Sequence, residues 1–316
     1  MFENFQLARY QVTITAGKFG LSLPPYKGST FRGGFGQVFR RITCSVRQAE
    51  CGGCLLKEQC PYAYIFETSP PPDTQALSKY ESIPRPFVLE PPLETKTSYA
   101  SGESLIFHLV LIGRAIQYLP YFIVVFREMG EAGIGRDRRS FILDDITAIG
   151  FNEAQSIYSS RTNTVQNLDL AYSASQLMEN LPANIKKIRI IFETPVRLKD
   201  GGIIVRRPEF HILFRQIMRR LSSLAYFHHG EKLLADYAGL SERACAISLL
   251  ENSTSWHDWE RYSQRQQQRM NMGGLVGTVT YEGNLSEFLP WLILGEQVHV
   301  GKNTVFGLGK YRIDVQ

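Results

Sequence analysis

Gly301-Lys302-Asn303-Thr304-Val305-Phe306-Gly307-Leu308-Gly309-Lys310-Tyr311-Arg312 interleaves glycines with cations immediately ahead of an apolar strand. Gly301, Gly307 and Gly309 let a main chain approach a phosphate closely, and Lys302, Lys310 and Arg312 supply the opposite charge. Rossmann and Walker patterns set such a loop between a strand and a long helix. Here only about a strand's length of sequence follows, so a nucleotide fold fits poorly. The expectation is a loop suited to a polyanion backbone, closing a sheet.

Outward from that loop, 286–294 reads as a short helix and 275–281 alternates as a strand. Residues 208–226 read as a long helix with Phe210, Leu213, Phe214, Ile217, Leu221 and Leu224 on one stripe. His211, Arg215 and Arg219 recur at every fourth position on another face. Residues 187–192 form a strand, and Gly201-Gly202 turns a hairpin into 203–205. Between these, 256–269 interleaves Trp256, Trp259 and Tyr262 with Arg261, Arg265 and Arg269. Taken as a helix, it aligns the three arginines on one side. Aromatic faces stack on unpaired bases and guanidinium groups clamp phosphates.

The first half has the same order of elements. Residues 5–15 alternate as a strand, and Thr30 caps a helix burying Phe31, Phe35, Val38, Phe39 and Ile42. Residues 103–112 form a strand, 118–129 a helix and 140–146 a strand, while prolines at 70–72, 84, 86, 91 and 92 mark loop and edge strand. Strand-helix-strand-strand-helix-strand is the ferredoxin-like order. The fold class is therefore α+β, with two tandem ferredoxin-like (RRM-like) domains at 1–155 and 185–316, joined by a polar connection at 156–184. The halves share the pattern without an obvious sequence repeat.

Four of the five cysteines, Cys44, Cys51, Cys54 and Cys60, crowd into an insert at about 44–66. In a reducing compartment such a cluster points to metal. Four thiolates suit structural zinc, while Cys60-Pro61 also fits an iron-sulfur run. Cys245 stands alone in an apolar stretch and reads as core. A net charge of +5 over 316 residues permits a nucleic-acid partner without requiring one. No run of about 18 uncharged apolar residues occurs, and the amino terminus lacks the marks of a signal peptide, so no membrane partner and a cytoplasmic location are expected.

Further motifs carry a resemblance. They are Thr30-Phe31-Arg32-Gly33-Gly34-Phe35-Gly36, the cysteines running into Cys60-Pro61-Tyr62-Ala63-Tyr64-Ile65-Phe66-Glu67, and Pro86-Phe87-Val88-Leu89-Glu90-Pro91-Pro92. Tyr226-Phe227-His228, Asp258-Trp259-Glu260-Arg261-Tyr262-Ser263, Met272-Gly273-Gly274 and His299-Val300-Gly301-Lys302 follow. In this order they resemble the Cas6 group of CRISPR-associated RAMP proteins, in the branch with an amino-terminal cysteine cluster. The resemblance implies an endoribonuclease that binds CRISPR repeat RNA and cuts the precursor once per repeat. The ribose 2'-hydroxyl attacks the adjacent phosphate without a metal, leaving a 2',3'-cyclic phosphate. Other Cas proteins of an effector complex are implied partners.

Many relatives carry a histidine near the first helix, yet 26–41 contains none, and Tyr26, Lys27 and Arg32 stand there instead. Catalysis is relocated or absent, and the alternative is a catalytically inactive crRNA-binding subunit. A cysteine-metal redox or sensor protein is a third reading, which leaves the basic loop unexplained. An imidazole titrates near neutrality, so His228 and His299 are the candidate acid/base groups, with Tyr262 orienting the phosphate. His228 is also placed to act as a cation at a helix end, and His299 to be strand packing. Candidate RNA ligands are Arg261, Arg265, Arg269, Lys302, Lys310, Arg215, Arg219, Gly301, Gly307 and Gly309.

Overall fold

The computed structural model describes residues 1–46, 50–70, 83–166, 170–263 and 268–316, with the backbone course alone at 261–263 and 268–269. The chain forms two compact units, Asn4–Ser173 with Ser223–Glu231, and Met1–Glu3 with Ala174–Ser222 and Lys232–Gln316.

In the first unit, β1 (Gln6–Ala16) buries Leu7, Tyr10, Val12 and Ile14 in the alternation its sequence shows. It is followed by α1 (Gly28–Thr43), α2 (Pro61–Phe66), β2 (Phe87–Glu90), β3 (Ser104–Ile112), α3 (Leu119–Ala132), β4 (Phe141–Ile149), β5 (Ala154–Ser159) and β6 (Thr164–Val165). The antiparallel sheet runs β2-β3-β1-β4-β5-β6. Its first four strands have the ferredoxin-like arrangement, with β1 and β3 central. Phe35 of α1 lies within ring-contact distance of Phe66, Phe87, Phe122 and Phe126, so three helices and the sheet meet on one aromatic core.

Two helix details differ from expectation. Helix α1 starts at Gly28 with Lys27 as its N-cap, not at Thr30. The Lys27 ammonium is buried and donates to the carbonyls of Pro25 (3.3 Å) and Glu94 (2.8 Å), anchoring the chain ahead of the threonine. Ile42, expected in the core, is exposed, because α1's apolar contacts end with Phe39. The polar connection expected at 156–184 contributes β5 and β6 to the first sheet, and Tyr172–Ser173 pairs with β1.

The second unit contains β7 (Lys187–Val196), α4 (Phe210–Leu224), β8 (Ser248–His257), the hairpin β9 (Glu260–Ser263) and β10 (Gln268–Asn271), β11 (Gly274–Glu282), α5 (Leu289–Val298) and β12 (Tyr311–Val315). Its sheet order, β8-β11-β7-β12, is again ferredoxin-like. The apolar stripe of α4 is buried from Phe210 to Leu224 as its spacing requires. The turn Ala225–His229 then continues that helix and ends at Gly230, at φ 76°.

The helix expected at 256–269 is overturned. Trp256 is the penultimate residue of the edge strand β8, and β9 pairs with β10 so that Tyr262 faces Arg269 and Arg261 faces Met270. The spacing of Arg261, Arg265 and Arg269 therefore does not align them on a helix; Arg265 itself lies outside the described residues. Cys245, expected in the core, is exposed in the turn Ala244–Ala246, where its thiol donates to the Ser241 carbonyl at 3.4 Å.

Candidate nucleic-acid interface

The glycine loop starts where α5 ends. His299 leaves the helix at φ 65°, ψ 170°, and Val300 N–H donates to the Gly309 carbonyl at 3.0 Å, pinching the loop at its neck. Gly301, at φ 84°, brings the main chain against β7's exit: a Cβ there would stand 2.7 Å from the Arg197 carbonyl oxygen, which accepts from Lys302 N–H at 3.3 Å. Beyond the neck, Thr304 to Gly309 are all buried, and only Gly301 to Asn303 break the surface. Gly307 and Gly309, expected to admit a phosphate, instead let the main chain fold onto itself. A Cβ on Gly309 would lie 1.8 Å from the Val300 carbonyl oxygen.

The exposed crest is cationic. Burial, and then the charges of Arg219 and Lys199, push the Lys302 ammonium below the ordinary lysine value. Like charges held this close repel, and an anion placed among them relieves the repulsion. Lys199 was invisible to sequence reasoning because the main-chain contact of Lys302 with Arg197, two residues before it, and not sequence proximity, brings the two lysines together. Half-buried Arg220 donates from Nε to the Val298 carbonyl at 3.0 Å and so holds the helix end from which the loop departs.

Other expected ligands are placed elsewhere. Arg215 donates from Nε to Ser241 Oγ at 2.7 Å, which separates it from the Lys302 cluster that Arg219 joins. Lys310 stands 3.7 Å from the Glu193 carboxylate, which Arg312 also approaches at 3.8 Å, so its charge is locally balanced. The side chains of Arg261, Tyr262 and Arg269 lie outside the described part of the structure. Arg206, which sequence reasoning passed over, stacks 4.7 Å from the ring of Trp256 at the end of β8.

Both candidate imidazoles are fully buried. In the first unit, His228 Nδ1 lies 3.1 Å from the Tyr64 hydroxyl and Nε2 lies 2.8 Å from the Pro84 carbonyl oxygen. A carbonyl can only accept, so Nε2–H donates to Pro84, and the ring holds α2 and the chain before β2. His299 Nδ1 lies 3.0 Å from the Leu308 carbonyl oxygen and packs inside the glycine loop. These placements give both rings packing contacts inside the protein, away from solvent. At the first helix, burial raises the Tyr26 hydroxyl far above its ordinary range and lowers the Lys27 ammonium, while Arg32 stacks 4.6 Å from the Phe66 ring.

The cysteine segment is folded around two tight turns. Cys54 N–H closes on the Cys51 carbonyl and Cys60 N–H on the Lys57 carbonyl, each at 3.4 Å, and Cys60 then precedes α2. All four thiols are partly exposed. Burial and the Glu67 carboxylate raise the Cys51 thiol, Arg40 opposes them, and Cys60 and Cys44 add to the rise, so these sulfurs sense one another. Among the described residues, no three His, Cys, Asp or Glu side chains converge as a metal-binding group. Among the same residues, no helix is long and apolar enough to cross a membrane.

Residues 190–311 match the family model described as CRISPR-associated endoribonuclease Cas6, and residues 5–170 match the AF_1859_N N-terminal domain model. A protein of Archaeoglobus fulgidus described as uncharacterized is 28% identical over 99% of both chains. Among solved structures, a Cas6 product complex matches with a TM-score of 0.58 at 15% identity, over 98% of this chain and 99% of that one. Thermus thermophilus Cas6 gives 0.56 at 14% identity over the same shares. A partial Cas6-RT-Cas1–Cas2 complex gives 0.60 at 15% identity, and there this chain spans only 47% of the matched chain. At these identities the structural likeness is one of fold.

Proposed function

We propose, from the match of residues 190–311 to the Cas6 endoribonuclease family and the likeness of the fold to Cas6 structures, that the chain binds CRISPR repeat RNA and cuts the precursor within each repeat. The observation that carries RNA binding is the grouping of Lys302 with Lys199 and Arg219 at the crest of the pinched glycine loop. A polyanion backbone neutralises that grouping, while Gly301 lets the crest pack against the Arg197 carbonyl.

Cleavage by this reading uses the RNA's own 2'-hydroxyl. Its proton passes to a base as its oxygen attacks the neighbouring phosphorus, the bond to the 5'-oxygen breaks, and that oxygen takes a proton. The products are a 2',3'-cyclic phosphate and a free 5'-hydroxyl. Cations around the phosphate stabilise the charge gathered in the transition state, and the step has no requirement for a metal. The burial of His228 and His299 favours a second reading, an RNA-holding Cas subunit that does not cut.

A repeat transcript is incubated with the protein in chelator, beside the same RNA with a 2'-deoxy nucleotide at the cut. Cutting of the first and not the second supports the enzyme. Tight binding without cutting of either supports the holder, and absence of binding overturns both. As a separate assignment resting on the cysteine pattern, Cys44, Cys51, Cys54 and Cys60, which do not converge in the structure, are proposed to draw together around a structural zinc, since four thiolates fill a tetrahedral shell and leave no open position for chemistry. An iron-sulfur cluster is the alternative occupant of the same ligands. Association with other Cas proteins is proposed on the likeness to the Cas6-RT-Cas1–Cas2 assembly.

A further inference from the structure

The first unit contains a counterpart of the glycine loop. Both loops join the second helix of a ferredoxin-like unit to its last strand: Ala132 to Phe141 in the first, Val298 to Tyr311 in the second. Both leave the helix through a residue in the same unusual conformation, Gly133 at φ 77°, ψ 153° and His299 at φ 65°, ψ 170°. Two residues on, Gly135 has φ 77° and Gly301 has φ 84°.

The surroundings match as well. A Cβ on Gly135 would stand 2.7 Å from the Ser22 carbonyl oxygen, and one on Gly301 2.7 Å from that of Arg197. Each contact is to the chain following the unit's first strand. Each neck is pinned by main-chain bonds, Ile134 with Arg139 in both directions (3.0 and 3.1 Å) and Val300 N–H to the Gly309 carbonyl (3.0 Å). The next residue is a cation in each, Arg136 in one and Lys302 in the other.

The crest of the first-unit loop is exposed at Arg136, Asp137 and Arg138. Arg139 donates from Nη1 to the Phe19 carbonyl and lies 3.6 Å from Asp137, which ties the turn after β1 to the loop. That tie presents Lys18, also exposed, and Phe19, a residue 74% exposed, with the Lys18 ammonium 5.8 Å from its ring centroid. A surface depression lies between Phe19 and residues 137–140. The side chains of Arg136 and Arg138 enter no ion pair among the described residues. An exposed aromatic ring beside uncompensated cations on a pinned loop is the chemistry that holds unpaired nucleotides.

We propose that the 133–140 loop is a second RNA contact, with Arg136 and Arg138 on consecutive phosphates and Phe19 stacked on a base of an unpaired segment. This rests on the reading of the chain as an RNA binder. The test is fluorescence anisotropy with labelled oligouridine RNA, titrated between about 50 and 200 mM salt. Arg136→Ala with Arg138→Ala is compared with Phe19→Ala, Lys302→Ala and the parent, each checked for folding by circular dichroism.

The double variant is expected to weaken binding about tenfold at the lower salt and to flatten the slope of log affinity against log salt by about 1.4, the value for two phosphates on a single strand. Phe19→Ala is expected to weaken binding at least about fivefold with the slope unchanged. Unchanged affinity and slope in the double variant, while Lys302→Ala weakens binding, overturn the second contact alone. Unchanged affinity in Phe19→Ala overturns the stacking role. A parent that binds no RNA overturns this proposal together with the reading beneath it.

Discussion

Thr194 Oγ1 donates to the Gly307 carbonyl at 2.9 Å and accepts from Lys310 N–H at 2.9 Å, so one buried hydroxyl of β7 ties together both sides of the glycine loop's exit. Thr194→Val preserves shape and leaves these groups without that partner. A destabilisation of about 1–3 kcal/mol is expected in urea unfolding, with Thr194→Ser recovering most of it. A loss under about 0.5 kcal/mol would show that the loop does not depend on this hydroxyl.

Lys302 and Lys310 flank the same loop, yet they should behave differently toward RNA. Lys302 stands with Lys199 and Arg219, whereas Lys310 lies 3.7 Å from Glu193. Lys302→Ala is expected to weaken RNA binding several-fold and reduce the salt slope by about 0.7–0.9, one phosphate's worth. Lys310→Ala is expected to change both less. Equal effects in filter binding would contradict the division of the loop into an exposed crest and a balanced base.

Elements with their own period were legible before the structure: β1, β3 and α4 bury the faces that their alternation or helical stripe requires. β8 was not, because an edge strand exposed along most of Ser248–His257 has no buried face to set a pattern. The arginine spacing at 261, 265 and 269 imitated a helix while the chain turned a hairpin. His228 read as an acid/base candidate or a helix-end cation because Tyr64 and Pro84, which enclose it, are remote in sequence. The paired loops were hidden for a related reason. What Gly133 and His299 share is a backbone angle, which two different residue types adopt.

The cysteine assignment is checked by metal analysis of purified protein. About one zinc per chain is expected, colourless in the visible range, and lost in a Cys51→Ser, Cys54→Ser double variant. Charge-transfer absorbance in the visible range would instead identify iron-sulfur. Removing the metal is expected to loosen the cysteine segment, read as faster proteolysis there, with RNA cleavage in chelator unaffected. Absence of any bound metal after expression in zinc-supplemented medium would end the assignment.

A pH effect on stability follows from His229. Its Nε2 accepts from Gln6 N–H at 2.9 Å, its ring stacks 4.3 Å from Phe5, and burial holds its pKa below the ordinary 6.5, against an opposing pull from its backbone contacts and Glu231. The unfolded chain therefore takes up a proton first as pH falls. Stability from the neutral ring is fully present above about 6.5 and is lost as pH drops toward the depressed folded value. The Tm should accordingly decline between about pH 7 and pH 5, and His229→Gln, which cannot titrate, should flatten that part of the profile while lowering Tm at neutral pH. A parent and a variant with parallel Tm profiles across the range would remove His229 as the source.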